Sequence, residues 1–161
     1  NTKLVSGGDE PLYLPASEEC NYHQIIFTHD YFASALHEIA HWLVAGETRR
    51  LQVDYGYWYE PDGRDLQKQG EFETVEVLPQ AIEWALSVSC GSEFDVSSDN
   101  LSGIVINRLA FKQKVYQQVL SLLNHGFSER MAKLLSACQK AYQTESLGIE
   151  DFEYQGMYQL V

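Results

Sequence analysis

Basic residues are scarce in this chain, and their scarcity excludes a class of partner. The sequence holds 11 Lys and Arg against 23 Asp and Glu, a formal net charge of −12. Proteins that bind a nucleic-acid backbone carry a basic stripe, whereas the short runs "TRR" and "KQK" are isolated here. We therefore expect no nucleic-acid partner, and an acidic surface that serves solubility or receives a cationic substrate.

Long apolar runs and paired cysteines are also lacking. No stretch of 18 or more apolar residues occurs, so the sequence predicts no transmembrane helix and no membrane partner. The opening "NTKLVSGGDE" lacks the basic segment followed by an apolar one that marks a secretory signal. The cysteines Cys20, Cys90 and Cys138 are odd in number and widely spaced. This number and spacing of cysteines argues against a disulfide framework and is typical of proteins in a reducing cytoplasm.

The chain has 161 residues, of which 45% are hydrophobic and 12% aromatic, a composition typical of globular proteins. It predicts one domain, residues 1–161, with a buried core. The strings "PLYLP" and "HQIIFTH" predict short strands, because apolar runs are bounded there by turn residues. Alternating aromatic and β-branched residues predict a further strand near 51–59, ended by the Pro-Asp-Gly turn at 61–63.

Helices account for most of the rest, so the predicted class is α+β, helix-rich with a small early sheet. Apolar residues recur at helical spacing over 31–45, with Asp30 in the N-cap position and Gly46 after the end. A second helix is predicted from about Pro79 to Cys90, and the assignment of 71–77 stays open. Two amphipathic helices follow, one closed by Gly126 and one begun at Ser128.

Residues 37–42 read "HEIAHW", which places the pattern H-E-x-x-H in the middle of the first predicted helix. Side chains at i and i+4 lie one turn apart on one face, so His37 and His41 can direct both imidazoles at a single metal ion. In zinc peptidases with this motif the glutamate is the general base, which would be Glu38 here. The competing interpretation is a core helix whose histidines bond only to neighbouring groups.

A third ligand is needed, and the sequence offers carboxylates rather than a histidine. After His41 the next histidine is His125, on a separate predicted helix. Two histidines with one carboxylate hold non-haem Fe(II) for oxygen chemistry, and the same set holds zinc in some peptidases. Ligand count leaves both metals open. Glu76 and Glu83 would share a helix face, although Pro79 argues against a continuous helix there. The candidates are Glu71, Glu73, Glu76 and Glu83.

Five strings together resemble the bacterial elongation factor P hydroxylase family: "GDEPLYLPA", "FASALHEIAHW", "VDYGYWYEPDGRD", "FETVEVLPQA" and "SSDNLSG". The resemblance runs from the first residues to about Asn124. It implies a cytoplasmic enzyme that hydroxylates the lysine of elongation factor P already carrying a β-lysyl group. It also implies a site like the two-histidine, one-carboxylate iron triad, with O₂ as cosubstrate, and a fold similar to metal-dependent ribonucleases, in a zincin-like arrangement. Carried onto this chain, the metal ligands are His37, His41 and Glu76.

Further roles follow from the chemistry of such a site. A hydroxylase does not require Glu38 as a base, so we expect it to support the ligands or relay a proton, unless it is purely structural. Tyr57 and Tyr59 are candidates for cation–π contacts with a lysine ammonium, although alternation on a strand turns half of such aromatics to the core. Asp62 is a candidate ion-pair partner for the same substrate. The alternative function is a zinc-dependent hydrolase, peptidase or ribonuclease-like, with Glu38 as its base; a non-catalytic binding module is the third hypothesis.

Overall fold

The computed structural model describes residues 1–56, 66–97 and 107–152. The chain divides into two compact units, Asn1–Glu60 and Pro61–Val161. Over the described ranges it holds four α-helices and one three-stranded sheet early in the chain. This content confirms the α+β, helix-rich class. None of the helices in these ranges is both long and apolar enough to cross a bilayer.

The sheet of the first unit has the order β1-β3-β2. Its strands are β1 (Thr2–Ser6), β2 (Leu12–Leu14) and β3 (His23–Phe27). β1 runs parallel to β3, and β2 runs antiparallel to it. The strands predicted in "PLYLP" and "HQIIFTH" are thereby confirmed. β1 was not predicted, because this edge strand has no fully buried residue and so lacks a clear apolar alternation.

Helix α1 (Phe32–Val44) follows the sheet and confirms the first predicted helix. Its buried positions recur at helical spacing and form its core-facing stripe: Ala35, Leu36, Ala40 and Leu43. The predicted cap Asp30 is wrong: Tyr31 is the N-cap residue, and its side chain makes no capping hydrogen bond. The reason is a tight turn in which the Tyr31 N–H donates to Thr28 O at 3.2 Å, which places Asp30 inside the turn.

The strand predicted near 51–59 is wrong over its described part. Two 3₁₀ turns, Arg49–Leu51 and Val53–Gly56, occupy this segment instead. Asp54 and Tyr55 have φ of 47° and 58°, and Gly56 has 71°, values incompatible with a strand. The Tyr13 N–H donates to Asp54 Oδ1 at 2.8 Å, and the Tyr13 and Tyr55 rings stack at 4.2 Å. These tertiary contacts override the local alternation. The predicted turn at 61–63 lies outside the described residues.

The second unit contains the other three helices, α2 (Leu66–Ser89), α3 (Arg108–His125) and α4 (Glu129–Tyr142). α2 begins at Leu66 rather than near Pro79, and Pro79 lies inside it. The middle of α2 is buried, so packing offsets the hydrogen bond that Pro79 cannot donate. Its Trp84 stacks on Phe94 at 5.1 Å between ring centroids and meets Phe152 edge-on at 5.6 Å.

Caps explain where α3 and α4 begin. Asn107 Oδ1 accepts from the Ala110 N–H at 3.0 Å, and Ser128 Oγ accepts from the Met131 N–H at 3.4 Å. The predicted cap Ser128 is therefore confirmed. Gly126 ends α3 with a φ of 91°, which confirms it as the predicted stop.

Candidate metal centre

The two histidines of the H-E-x-x-H motif meet on one side of α1. The Nε2 atoms of His37 and His41 lie 3.0 Å apart, with their rings 4.7 Å apart and inclined at 71°. Both side chains are half-buried, next to the core-facing stripe of the helix. With metal–nitrogen bonds of about 2.0–2.1 Å, two donors at this separation fit neighbouring positions around one ion. The local helix geometry is thus sufficient to build a bidentate half-site.

Glu76, the predicted third ligand, lies on α2 in the second unit. Glu76 is only 5% exposed on α2, and a carboxylate so buried is costly unless it is hydrogen-bonded, paired or bound to a metal.

The other candidate carboxylates have different surroundings. Glu73 Oε2 pairs with Lys114 Nζ of α3 at 3.2 Å. Glu71 is exposed and accepts from Gln67 Nε2 at 3.0 Å. Glu83 is 8% exposed, and because α2 is continuous it lies on the same helix face as Glu76, two turns on.

Gln80, which was not among the predicted residues, contacts the candidate ligand directly. Its side chain is fully buried, and Nε2 donates to Glu76 Oε2 at 3.3 Å. The same amide is hydrogen-bonded to the backbone of Ser97, at the end of the described segment after α2. The sequence signal that could have found it is the i, i+4 spacing of Glu76 and Gln80 on a helix, but continuity of that helix through Pro79 had to be known first.

The remaining predicted site residues have varied positions. Glu38 is half-buried on α1 between the two histidines. Tyr55, the first aromatic of its run, is 5% exposed and packs in a core cluster with Tyr13 and Ile25. The predicted substrate-binding residues Tyr57, Tyr59 and Asp62 lie outside the described residues.

Asp95 anchors the segment that leads to Ser97. Its carboxylate accepts from Arg108 at 2.8 Å and from Lys112 at 2.9 Å, and its Oδ1 also accepts from the Val96 N–H. Burial alone would raise the pKa of Asp95, but hydrogen bonds and charges from Lys112 and Arg108 outweigh it and hold the pKa below its ordinary value. The segment after α2 is therefore tied to the first turns of α3.

A family model described as elongation factor P hydroxylase matches residues 1–152 of the chain. This range contains all three candidate ligands. A curated protein of Haemophilus influenzae, named elongation factor P lysine hydroxylase, is 51% identical over 145 residues, which cover 90% of this chain and 82% of the relative. Both matches confirm the family resemblance that the sequence strings indicate.

Proposed function

Because the chain belongs to the elongation factor P hydroxylase family, we propose that it hydroxylates the β-lysyl-modified lysine of translation elongation factor P. The metal is Fe(II), the cosubstrate is O₂, and the reaction takes place in the cytoplasm. The observation that carries the proposal is the pair His37 and His41 on α1, whose Nε2 atoms lie 3.0 Å apart. Glu76 is the proposed third ligand. Two imidazoles and one carboxylate leave positions open for oxygen chemistry, and iron supplies the activation of O₂ when bound.

Each residue of the proposed site has a defined task. His37 and His41 would hold the metal through their imidazole nitrogens. Glu76 adds a negative charge that offsets part of the charge of the ion. Glu38, one residue after His37 and half-buried, supports the ligands or relays a proton. The likeness of this arrangement to zincins and metal-dependent ribonucleases stays a prediction.

The substrate is a lysine that carries a second lysyl group, so it presents two ammonium groups. Tyr57 and Tyr59 are proposed to bind an ammonium through their ring faces, and Asp62 through an ion pair. The formal net charge of −12 favours the approach of such a cationic side chain.

Mass spectrometry of β-lysylated elongation factor P tests the proposal. After incubation with the Fe(II)-loaded protein in air, we expect the substrate to gain the mass of one oxygen atom. His37→Ala, His41→Ala and Glu76→Ala should each abolish the gain. His125→Ala is the matched control, because this histidine is exposed at the end of α3 and bonds only locally, to Ser121. It should leave the gain unchanged.

Two results would overturn the assignment. One is an unchanged substrate mass while the protein demonstrably holds iron. The other is a metal-free protein whose activity is restored by stoichiometric zinc but not by iron, which would favour the alternative zinc-dependent hydrolase that uses Glu38 as its base.

A further inference from the structure

The buried amide of Gln80 lies one helical turn after Glu76, and its contacts assign it a role. We infer that Gln80 is a positioning residue for the Glu76 carboxylate: it orients Oε2 of the carboxylate that is proposed to bind the metal. The inference rests on the metal site of the proposed function and adds a residue that acts through a ligand rather than on the ion.

Burial of this amide carries a cost in free energy. Gln80 is 0% exposed in the middle of α2, where an amide without hydrogen-bond partners is unfavourable. A buried apolar side chain of similar length would avoid this cost. The polar group is therefore explained by the partners that it serves.

The backbone of Ser97 determines which way the amide of Gln80 points. The Ser97 N–H donates to Gln80 Oε1 at 3.0 Å, and Gln80 Nε2 donates to Ser97 O at 2.6 Å. An N–H group can only donate and a carbonyl can only accept, so the amide cannot be turned around without losing both hydrogen bonds. Nε2 is consequently held on the side of Ser97 O.

One proton of Gln80 Nε2 remains for Glu76. An amide nitrogen carries two donors, and Ser97 O uses one of them. Nε2 also lies 3.3 Å from Glu76 Oε2 and donates to it. The bond is long, so its contribution is to orientation more than to energy. Oε2 of Glu76 is thus oriented by a group that is itself fixed.

Ser97 is anchored in turn by its neighbours in the chain. Val96, its neighbour, is 1% exposed, and Asp95 is held by ion pairs to Arg108 and Lys112 of α3. A hydrogen-bonded path therefore runs from the first turns of α3 through Asp95–Ser97 and Gln80 to Glu76. Groups that hydrogen-bond to metal-ligating side chains commonly change metal affinity by about 10–100-fold, and we expect Gln80 to act in this range.

Binding of Co(II) to the full metal-free chain, followed by its visible absorption, tests the inference without measuring activity. Gln80→Met keeps the length of the side chain and removes the donor, so we expect the Kd for Co(II) to rise by about tenfold or more. Gln80→Glu keeps the shape but places a second carboxylate against Glu76, and it should weaken binding at least as much. Both variants are first checked for folding by circular dichroism.

Thr144→Val is the matched control. Thr144 Oγ1 donates to Ser89 O at 2.7 Å, so this variant removes a side-chain hydrogen bond from the other end of α2. It should leave the Kd for Co(II) within about twofold while lowering the melting temperature, because its hydrogen bond does not reach Glu76. A Kd that rises as much as in Gln80→Met would mean that general loosening of α2 explains the effect, and would overturn the inference.

The remaining outcomes separate this inference from the proposed function. Co(II) binding that is lost in His37→Ala but unchanged in folded Gln80→Met overturns the role of Gln80 alone. If the His37→Ala variant binds Co(II) as tightly as the wild-type chain does, the proposed metal site is wrong, and the role of Gln80 is wrong with it. If neither Gln80 variant folds, nuclear magnetic resonance of the wild-type chain decides: the Gln80 amide protons should exchange slowly and shift when Zn(II) is added, and rapid exchange or an unmoved signal overturns the inference.

Discussion

His37 and His41 face each other across one turn of α1, with 3.0 Å between their Nε2 atoms. At this distance the two nitrogens fit one metal ion as neighbouring ligands. The pair needs no distant contact to form, because positions i and i+4 of any helix lie on one face.

Metal binding should stabilise the folded chain. A ligand that binds only the folded state adds about 2.7 kcal/mol to the free energy of unfolding when its concentration is 100 times its Kd. We expect Fe(II), added without oxygen, to raise the urea midpoint of the wild-type chain accordingly. His41→Ala should show no increase, and an equal increase in this variant would contradict the assignment of its ligand.

Substitution of Glu38 should separate the two metalloenzyme hypotheses. In a hydrolase the motif glutamate is the general base, whose loss typically costs about 10²–10⁴ in rate. In the proposed hydroxylase Glu38 only supports the ligands or relays a proton, so we expect Glu38→Gln to lower hydroxylation of β-lysylated elongation factor P by less than about tenfold. Single-turnover mass spectrometry measures the rate, with His37→Ala as the inactive reference.

Asp54 should matter for stability because it combines a buried hydrogen bond with a left-handed backbone. It accepts from the N–H of Tyr13, a residue 1% exposed, and has a φ of 47°. Asp54→Ala removes the acceptor and tolerates this φ less well, so we expect the free energy of unfolding to fall by about 1–3 kcal/mol. Asp54→Asn keeps an oxygen and the tolerance of positive φ, and should lose less than half as much. Urea denaturation measures the free energy of unfolding of both variants. Equal losses in Asp54→Ala and Asp54→Asn would contradict this explanation.

Asp95 should make the chain more sensitive to acid. Its pKa in the folded chain is held below its ordinary value by Lys112 and Arg108, against the opposing effect of burial. A carboxylate with a lowered folded pKa contributes stability that is fully present above its unfolded pKa, near 3.9, and is lost as the pH falls through the folded pKa. The difference in urea midpoint between the wild type and Asp95→Asn should therefore shrink from pH 6 towards pH 3. Because the side chain of Asp95 is 57% exposed, high salt should reduce the difference as well.

Cys90 should be unreactive in the folded chain. Burial, with a smaller contribution from neighbouring Cys138, raises the pKa of its thiol to about 12, so almost no thiolate is present at pH 8. We expect iodoacetamide at pH 8 to leave Cys90 unmodified, and peptide mapping to find it alkylated only after denaturation. Rapid alkylation of Cys90 under native conditions would contradict its buried position.

Much of the fold was predictable because its signals are local. The apolar spacing of α1, the cap Ser128, the stop Gly126 and the strands β2 and β3 all follow from residues close together in the chain. Three features were not predictable in this way. α2 continues through Pro79 because its buried middle compensates for the missing donor, and residues 51–56 form 3₁₀ turns because Tyr13 holds Asp54 and Tyr55 in a left-handed conformation. β1 lies at an edge, where little burial is needed.

The sequence by itself determined the chemistry of the candidate site: the H-E-x-x-H spacing on a helix pairs two imidazoles, and the strings around it resemble one enzyme family. The tertiary structure decided what surrounds the carboxylates of α2. Lys114 of α3 pairs with Glu73, whereas Glu76 is buried and bonded to Gln80, whose amide is oriented by Ser97. These differences arise from contacts between residues far apart in the chain, and no local pattern encodes them, because several glutamates on one helix look alike until their neighbours are known.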